Sequence, residues 1–263
     1  MARVRLDTLL TERGLFESRN RAAAAIMAGE VHLGPGRRKA EKPGQMVALD
    51  IDVELDSAPR YVSRGGIKLA NALDTFGLAV TGRCGLDVGA STGGFTDCLL
   101  QRGAARVIAQ DVAYGELHWK LRGDPRVIVL ERSNARSLHA EDLPYRPDLV
   151  VMDVSFISLS KVLPSVLGCV ATAFDCLAMV KPQFEVGRGS IARGGVVREV
   201  TERRRAVVDV ASAAVRLGAS VQGLASSGLP GPSGNRETFL WLAEGGRPGA
   251  LADVAATAAQ VDC

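Results

Sequence analysis

Four residues far apart in the chain, Lys68, Asp153, Lys181 and Glu237, have side chains that together can move a proton. Lys181 directly follows the apolar run Cys176-Leu177-Ala178-Met179-Val180. Lysines seldom sit at buried strand ends without a partner. Asp153, which directly follows Leu149-Val150-Val151-Met152, is an obvious one. Lys68 and Glu237 supply a second opposite-charge pair that closes a Lys-Asp-Lys-Glu cluster. Such a cluster suits a weak nucleophile, for example a sugar hydroxyl, that must lose its proton as it attacks. A lysine of ordinary pKa, about 10.4, is protonated at neutral pH and accepts nothing. Burial and a second cationic lysine bring such an amine towards about 7–8. Carboxylates oppose that shift, so their part is mainly to orient the amines. On this reading Lys181 is the base and Asp153 holds it, while Lys68 and Glu237 position the hydroxyl. Two ordinary structural ion pairs would use the same residues.

A second constellation lies earlier. Asp87-Val88-Gly89-Ala90-Ser91-Thr92-Gly93-Gly94-Phe95 joins a strand to a helix. Glycine there lets backbone approach a ligand closely. The spacing is G-x-x-x-G-G, not the G-x-G-x-x-G that seats a pyrophosphate, and no P-loop lysine–serine pair follows. An acidic strand end followed by glycines and small hydroxyl residues fits a nucleoside carrying a cationic sulfonium and no phosphate, with Asp87 near the positive end. The next strand ends at Asp111, beside Val112, where a carboxylate can accept bonds from two ribose hydroxyls. The strand after that leads to Asn134, which can reach an adenine edge.

The elements that must carry these residues alternate. Strands are expected at 84–88, 106–110, 127–130, 149–152 and 176–180. Helices are expected at 68–76, 94–102, 158–170 and 200–217, and late strands at 220–225 and 238–243 form an antiparallel pair at one edge. Alternating β and α predicts a doubly wound, mostly parallel sheet. The Ala250–Ala259 stretch is helical in composition. The first 50 or so residues have a different texture. Residues 4–28 read as two short helices, interrupted at Gly14, with Ser18 capping the second and Gly29 ending it. Short strands at 30–33 and 46–49 flank a Gly34-Pro35-Gly36 turn and the basic run Arg37-Arg38-Lys39. This is a small α+β module, and Asp56-Ser57-Ala58-Pro59 reads as a linker.

Bulk properties narrow the class. The 263 residues are 47% hydrophobic and 23% charged, enough for a sizeable core, with a net charge of +3. Residues 1–50 hold nine Lys/Arg against six Asp/Glu, a distribution suited to phosphate contacts. Cys84, Cys98, Cys169, Cys176 and Cys263 show no metal-ligand spacing, so no metal is expected and they read as small hydrophobes in a reducing cytoplasm. No apolar run approaches the roughly 18 residues of a membrane span, and no signal-peptide core follows the basic start.

These segments resemble the TlyA family of ribosomal RNA 2′-O-methyltransferases, also known as haemolysins. The signatures are Val62-Ser63-Arg64-Gly65-Gly66-x-Lys68-Leu69, the Asp87–Phe95 loop, Asp111-Val112-x-Tyr114-Gly115-x-Leu117, Asp153–Ser158, Val180–Gly187 and Gly231–Glu237. The resemblance spans essentially the whole chain. It implies a Rossmann-like FtsJ-type fold, an S4-type RNA-binding domain at 1–58, a linker at 59–62 and a methyltransferase domain at 63–263. It implies S-adenosylmethionine as cofactor, a catalytic tetrad at Lys68, Asp153, Lys181 and Glu237, and Phe156 beside the cofactor. Arg5, Arg19, Arg21, Arg38 and Lys39 become candidates for RNA phosphate contacts.

The implied substrate is cytidine in 23S ribosomal RNA and, in the longer subgroup, 16S as well. The segment beyond Trp241 resembles that subgroup, whose members confer susceptibility to capreomycin and viomycin. Pro59-Arg60-Tyr61-Val62 departs from the Arg-x-Trp-Val linker of the mycobacterial member, with Tyr61 at the Trp place. The expected partner is the ribosomal subunit, met by a monomer or weak oligomer. Three alternatives remain at this stage: a membrane-damaging haemolysin, a non-catalytic RNA-binding protein and a base methyltransferase. The last commonly carries Asn/Asp-Pro-Pro-aromatic where this chain has Asp153-Val154-Ser155-Phe156.

Overall fold

The computed structural model describes residues 3–16, 18–55, 60–192, 194–231 and 233–261. The linker segment Asp56–Pro59 and Cys263 lie outside these described residues. The chain divides into two compact units, Met1–Arg60 and Tyr61–Cys263.

In the first unit a short strand β1 (Arg3–Arg5) leads into α1 (Leu6–Glu12) and α2 (Arg19–Ala28). Ser18 accepts from the Arg21 amide at 3.3 Å to open α2, and Gly29 closes it in the left-handed region, φ +78°. Strands β2 (Val31–Leu33), β3 (Arg38–Lys39), β4 (Met46–Ala48) and β5 (Val53–Leu55) follow. β1 pairs antiparallel with β4, and β3-β2-β5 form a second small sheet. Leu6, Leu10, Ile26 and Val31 are fully or almost fully buried between helices and strands. The sequence reading placed Val4 in a helix and saw no strand at 53–55. Both strands have only three residues, and pairing with distant partners, not local pattern, makes them.

The second unit opens with α3 (Arg64–Phe76). Then come β6 (Cys84–Val88), α4 (Gly94–Gln101), β7 (Arg106–Gln110), α5 (Trp119–Arg122), β8 (Val127–Leu130) and β9 (Leu149–Met152). They are followed by α6 (Leu163–Cys169), β10 (Asp175–Val180), α7 (Pro182–Glu185), α8 (Val200–Arg216), β11 (Ala219–Ser226), β12 (Thr238–Glu244) and α9 (Val254–Gln260). One sheet runs β11-β12-β10-β9-β6-β7-β8. The five strands from β10 to β8 are parallel, while β12 is antiparallel to both its neighbours and β11 forms the edge. Strand order reverses at β6, so its C-terminal end faces the crevice where doubly wound sheets bind ligands. β9 and β10 are buried on both faces along their whole length. One core packs α3 and α4 against the sheet; the other packs α6 and α8.

Three boundaries differ from the sequence reading. The helix expected at 158–170 is a 3-10 turn at Leu159–Lys161 followed by α6, whose first turn holds a proline. α3 starts four residues before Lys68, because Gly65 and Gly66 are helical here. A side chain on Gly66 would collide with the Tyr61 ring, and one on Gly94 with Ser63, so these glycines let three segments touch. Tyr61, read above as linker, is 3% exposed and packs into the core of the second unit.

Candidate active site

Four elements deliver the four charged residues to one place. Lys68 projects from the second turn of α3. Asp153 is the first residue after β9, Lys181 the first after β10, and Glu237 the last before β12. Because β12 runs antiparallel, its start lies beside the end of β10, where Val180 pairs with Thr238. Lys181 Nζ lies 2.5 Å from Asp153 Oδ1 and donates to Ser155 Oγ at 2.8 Å. Lys68 Nζ donates to Glu237 Oε2 at 2.5 Å, and both side chains are buried. All four line a cleft of about 450 Å³, together with Asp87, Gly89, Ala90, Ser91, Thr92, Gly94 and Phe95 from the glycine loop.

A second cavity of about 360 Å³ shares Gly89, Ser91, Asp153 and Ser155 with the first and extends past Asp111, Val112, Asn134 and Phe156. Together the two form a groove over the C-terminal ends of β9, β6 and β7. Gly89 has φ +83°, and a Cβ there would meet the Asp153 carbonyl at 2.8 Å. The glycine loop and the Asp153 loop are thus in backbone contact.

Asp87 is fully buried at the floor of the cleft. Its Oδ2 accepts from the Thr96 amide at 2.9 Å and from Thr96 Oγ1 at 2.7 Å, while Oδ1 accepts no hydrogen bond. Burial pushes its pKa up to about 7; the Thr96 hydroxyl opposes the shift, and the charges of Asp153 and Asp111 add to it.

Several expected ligands are already engaged. Asp111 accepts from the Ser91 amide at 2.7 Å and the Ala113 amide at 2.8 Å, one on each oxygen. Each oxygen keeps a second lone pair for a ribose hydroxyl. Asn134 Oδ1 caps a 3-10 turn by accepting from the Arg136 amide at 3.1 Å, so of its side-chain amide the oxygen serves the backbone. Gly93 is absent from the cleft lining, and a Cβ on it would collide with Leu121 and Leu117. Phe156 is 92% exposed at φ +64°, with its ring 5.2 Å from that of Phe184. Core packing is thereby excluded for Phe156.

The sequence reading missed Gln110 and Ser155. Gln110 ends β7, is buried, and donates to the Ser133 carbonyl at 2.5 Å, while its Oε1 has no donor in the second cavity. A polar residue closing an apolar strand was the available signal. Glu185 was missed as well. It accepts from Ser158 Oγ at 2.6 Å and from the Leu159 amide at 2.9 Å, tying α7 to the Asp153 loop, and burial raises its pKa.

In the N-terminal unit, Arg5 donates to Asp7 at 3.1 and 2.7 Å, and Arg19 at 3.4 Å. Arg21, Arg38 and Lys39 are exposed. Among the described residues no group of His, Cys, Asp and Glu is arranged to hold a metal, and no helix is long and apolar enough to cross a membrane.

The donor set fits a cationic nucleoside. The glycine loop brings no lysine or arginine for a phosphate, an unpartnered carboxylate oxygen lies at the floor, and an unpartnered amide oxygen lines the adjoining cavity. A doubly wound sheet with this groove beside a lysine–carboxylate cluster defines an S-adenosylmethionine-dependent methyltransferase. A solved S-adenosylmethionine dependent methyltransferase from Listeria monocytogenes shares the fold, with a TM-score of 0.50 at 13% identity over 70% of this chain and 100% of that one.

The family model described as FtsJ-like methyltransferase matches residues 61–244, and the chain belongs to that family. It is 52% identical over 242 residues to the 16S/23S rRNA (cytidine-2′-O)-methyltransferase TlyA of Mycobacterium tuberculosis, covering 91% of this chain and 90% of the relative. It is 37% identical to Hemolysin A of Brachyspira hyodysenteriae, covering 89% and 97%. A solved hemolysin-named structure from Streptococcus thermophilus superposes with a TM-score of 0.74 at 39% identity, covering 99% of this chain and 96% of that one. The cofactor is S-adenosylmethionine.

Proposed function

We propose that this protein methylates the 2′-hydroxyl of cytidine in ribosomal RNA, in the 23S and also the 16S molecule. The single observation carrying this reading is the Lys181 amine, held by Asp153 and Ser155 in the same cleft as the glycine loop. The name of the 52%-identical relative supports the substrate.

Bound in the groove, S-adenosylmethionine supplies an electrophilic methyl group on a sulfonium. Gly89, Ala90, Ser91, Thr92, Gly94 and Asp87 would hold it on one side, with Asp111, Val112, Asn134 and Phe156 along the other. In its neutral amine form Lys181 Nζ takes the proton of the attacking hydroxyl and becomes the ammonium that Asp153 holds. Asp153 fixes the amine through the 2.5 Å contact, and Ser155 Oγ fixes a second direction of it at 2.8 Å. The buried Lys68–Glu237 pair lines the same cleft and positions the hydroxyl.

The first unit is an S4-type RNA-binding module in this reading. Arg5, Arg19, Arg21, Arg38 and Lys39 contact phosphates, which carry most of the affinity for RNA. The protein works in the cytoplasm as a monomer or weak oligomer, and its methylation confers susceptibility to capreomycin and viomycin.

Mass mapping of 16S and 23S RNA from a strain lacking the protein, before and after incubation with purified chain and cofactor, tests the assignment. New 2′-O-methylcytidine is expected with the intact chain and none with Lys181→Ala. Methylation on a base instead of a ribose would overturn it. Cell lysis that persists in Lys181→Ala would assign the hemolysin name to a separate activity.

A further inference from the structure

A methyltransferase must release a product that differs from its cofactor by one methyl group and one positive charge. S-adenosylhomocysteine keeps the adenosine, the ammonium and the carboxylate, and loses only the sulfonium charge. Discrimination between the two therefore calls for a group that senses charge and not shape.

Asp87 has that position and that environment. It is the fourth residue of β6, the interior strand where the order reverses, and it forms the floor of the cleft. One oxygen is satisfied by Thr96 and the other has no donor although it is buried. The remaining charges around it leave it uncompensated. On the β9 side, Asp153 is a like charge whose own ion-pair partner is Lys181. On the β7 side, Asp111 is a second like charge, tied to the Ser91 and Ala113 amides. From α3, Lys68 is paired with Glu237. From the mouth, Arg64 donates to the Pro230 carbonyl at 3.2 Å. From α4, the neutral Thr96 bonds it, while Asp97 of the same helix accepts from the Val62 amide and brings no cation. A buried carboxylate with no cation of its own favours the protonated form.

We propose that Asp87 is the residue by which the cleft distinguishes the cationic methyl donor from its neutral thioether product. The inference rests on the reading of this cleft as the cofactor site. Asp87 is a neutral acid until a sulfonium lies above it. On donor binding the O–H bond breaks and the proton leaves to solvent, so the carboxylate faces the cation. When the methyl group has gone, the positive charge has gone with it. The carboxylate then takes a proton back from solvent and loses its reason to hold the ligand. The proton of the attacking hydroxyl is separate and goes to Lys181.

Isothermal titration of the full chain tests this without turnover. Donor and thioether are each titrated in phosphate and in Tris between pH 6 and 8; the difference in heat between buffers counts protons. Near pH 7 donor binding should release about half a proton, and its affinity should rise about tenfold from pH 6 to pH 8. Thioether binding should release close to none and stay flat. Asp87→Asn should abolish the donor's proton release, flatten its pH dependence and narrow the gap between the two ligands. Thr96→Val removes the hydroxyl that steadies the carboxylate and should move the donor's transition to higher pH. That variant carries the test should Asp87→Asn not fold.

Donor binding with no buffer-dependent heat overturns the inference, as does equal proton release with both ligands or undiminished release in a folded Asp87→Asn. In those outcomes the cofactor-site reading stands. If neither ligand binds, or if Gly89→Trp binds both unchanged, the cleft assignment itself falls and takes the inference with it.

Discussion

Lys181 and Asp153 meet across two parallel strands although they are not register partners. Ala178 pairs with Met152, so Lys181 stands three residues past its rung and Asp153 only one. The long amine reaches back over the strand end to bring Nζ within 2.5 Å of Oδ1. This reach matters for the proton. It holds the amine over the crevice at β6, beside the glycine loop, instead of in solvent. Lys181→Ala is therefore expected to lower kcat by about 10²- to 10⁴-fold, the usual contribution of a positioned base. S-adenosylmethionine affinity should change by less than about threefold, since a lost base removes a transition-state interaction. Single-turnover methylation and isothermal titration of the same preparation check both halves.

The Lys68–Glu237 pair makes a different demand, on stability. Both side chains are buried, so removing one partner leaves an uncompensated charge in the core. Glu237→Ala should destabilise the chain by about 3–5 kcal/mol in denaturant unfolding. The double variant Lys68→Met with Glu237→Leu should recover much of that loss, because no buried charge remains, yet it should not recover methyl transfer. Recovery of activity along with stability would make the pair a scaffold and nothing more.

The frame and the strand-end residues Asp153 and Lys181 were legible in the sequence for one reason: both are written in long local patterns. The apolar strands β6, β9 and β10 announce themselves, and a charged residue directly after such a strand stands at the ligand-binding end of the sheet. The antiparallel edge pair was legible for the same reason. Strands β1 and β5 were not, because three residues acquire strand character only from a partner far away in the chain. Which lone pairs are free was also invisible. Asn134 spends its oxygen on a 3-10 turn and Asp111 shares both of its oxygens with amides, arrangements that depend on where the backbone turns. Glu185 was hidden because its partners Ser158 and Leu159 lie on a loop that only the fold brings beside α7.

Gly89 is where a side chain on the loop would press on backbone and not on another side chain. It has a positive φ, and a Cβ would press on the Asp153 carbonyl at 2.8 Å, a backbone atom that cannot swing aside. Gly89→Ala should cost about 1–3 kcal/mol for the backbone conformation alone. It should also push the Asp153 loop away from the glycine loop, opening the wall the two cavities share. S-adenosylmethionine affinity should fall at least about tenfold, and kcat should fall with it because Asp153 carries Lys181. Gly93→Ala separates the two effects. That position also has a positive φ, but its Cβ would meet Leu121 and Leu117 and not the Asp153 backbone. It should lose stability while cofactor affinity in the folded fraction stays unchanged.

The basic residues of the N-terminal unit divide into two kinds, and they should fail differently. Arg5 and Arg19 both donate to Asp7, whose side chain is 5% exposed. Hydrogen bonding from Arg5, more than any other partner, holds the Asp7 carboxyl down at about 2 against burial. A depressed carboxyl contributes stability that is complete above the ordinary value of about 4 and is lost as pH falls towards 2. The acid-denaturation profile of the N-terminal unit should accordingly steepen between about pH 4 and pH 2, and Asp7→Asn should remove that component. Hydrogen exchange across residues 3–55 follows it in the full chain. Arg5→Ala should therefore lower both RNA affinity and the stability of this unit, since it strips a buried carboxylate of its main donor. Arg38→Ala touches no such group, and Arg38 is exposed on β3. It should leave stability within about 0.5 kcal/mol. It should still weaken RNA binding and reduce the salt slope by about 0.7–0.9 for one lost phosphate contact. An Arg38→Ala variant with an unchanged salt slope would remove that face from the RNA interface.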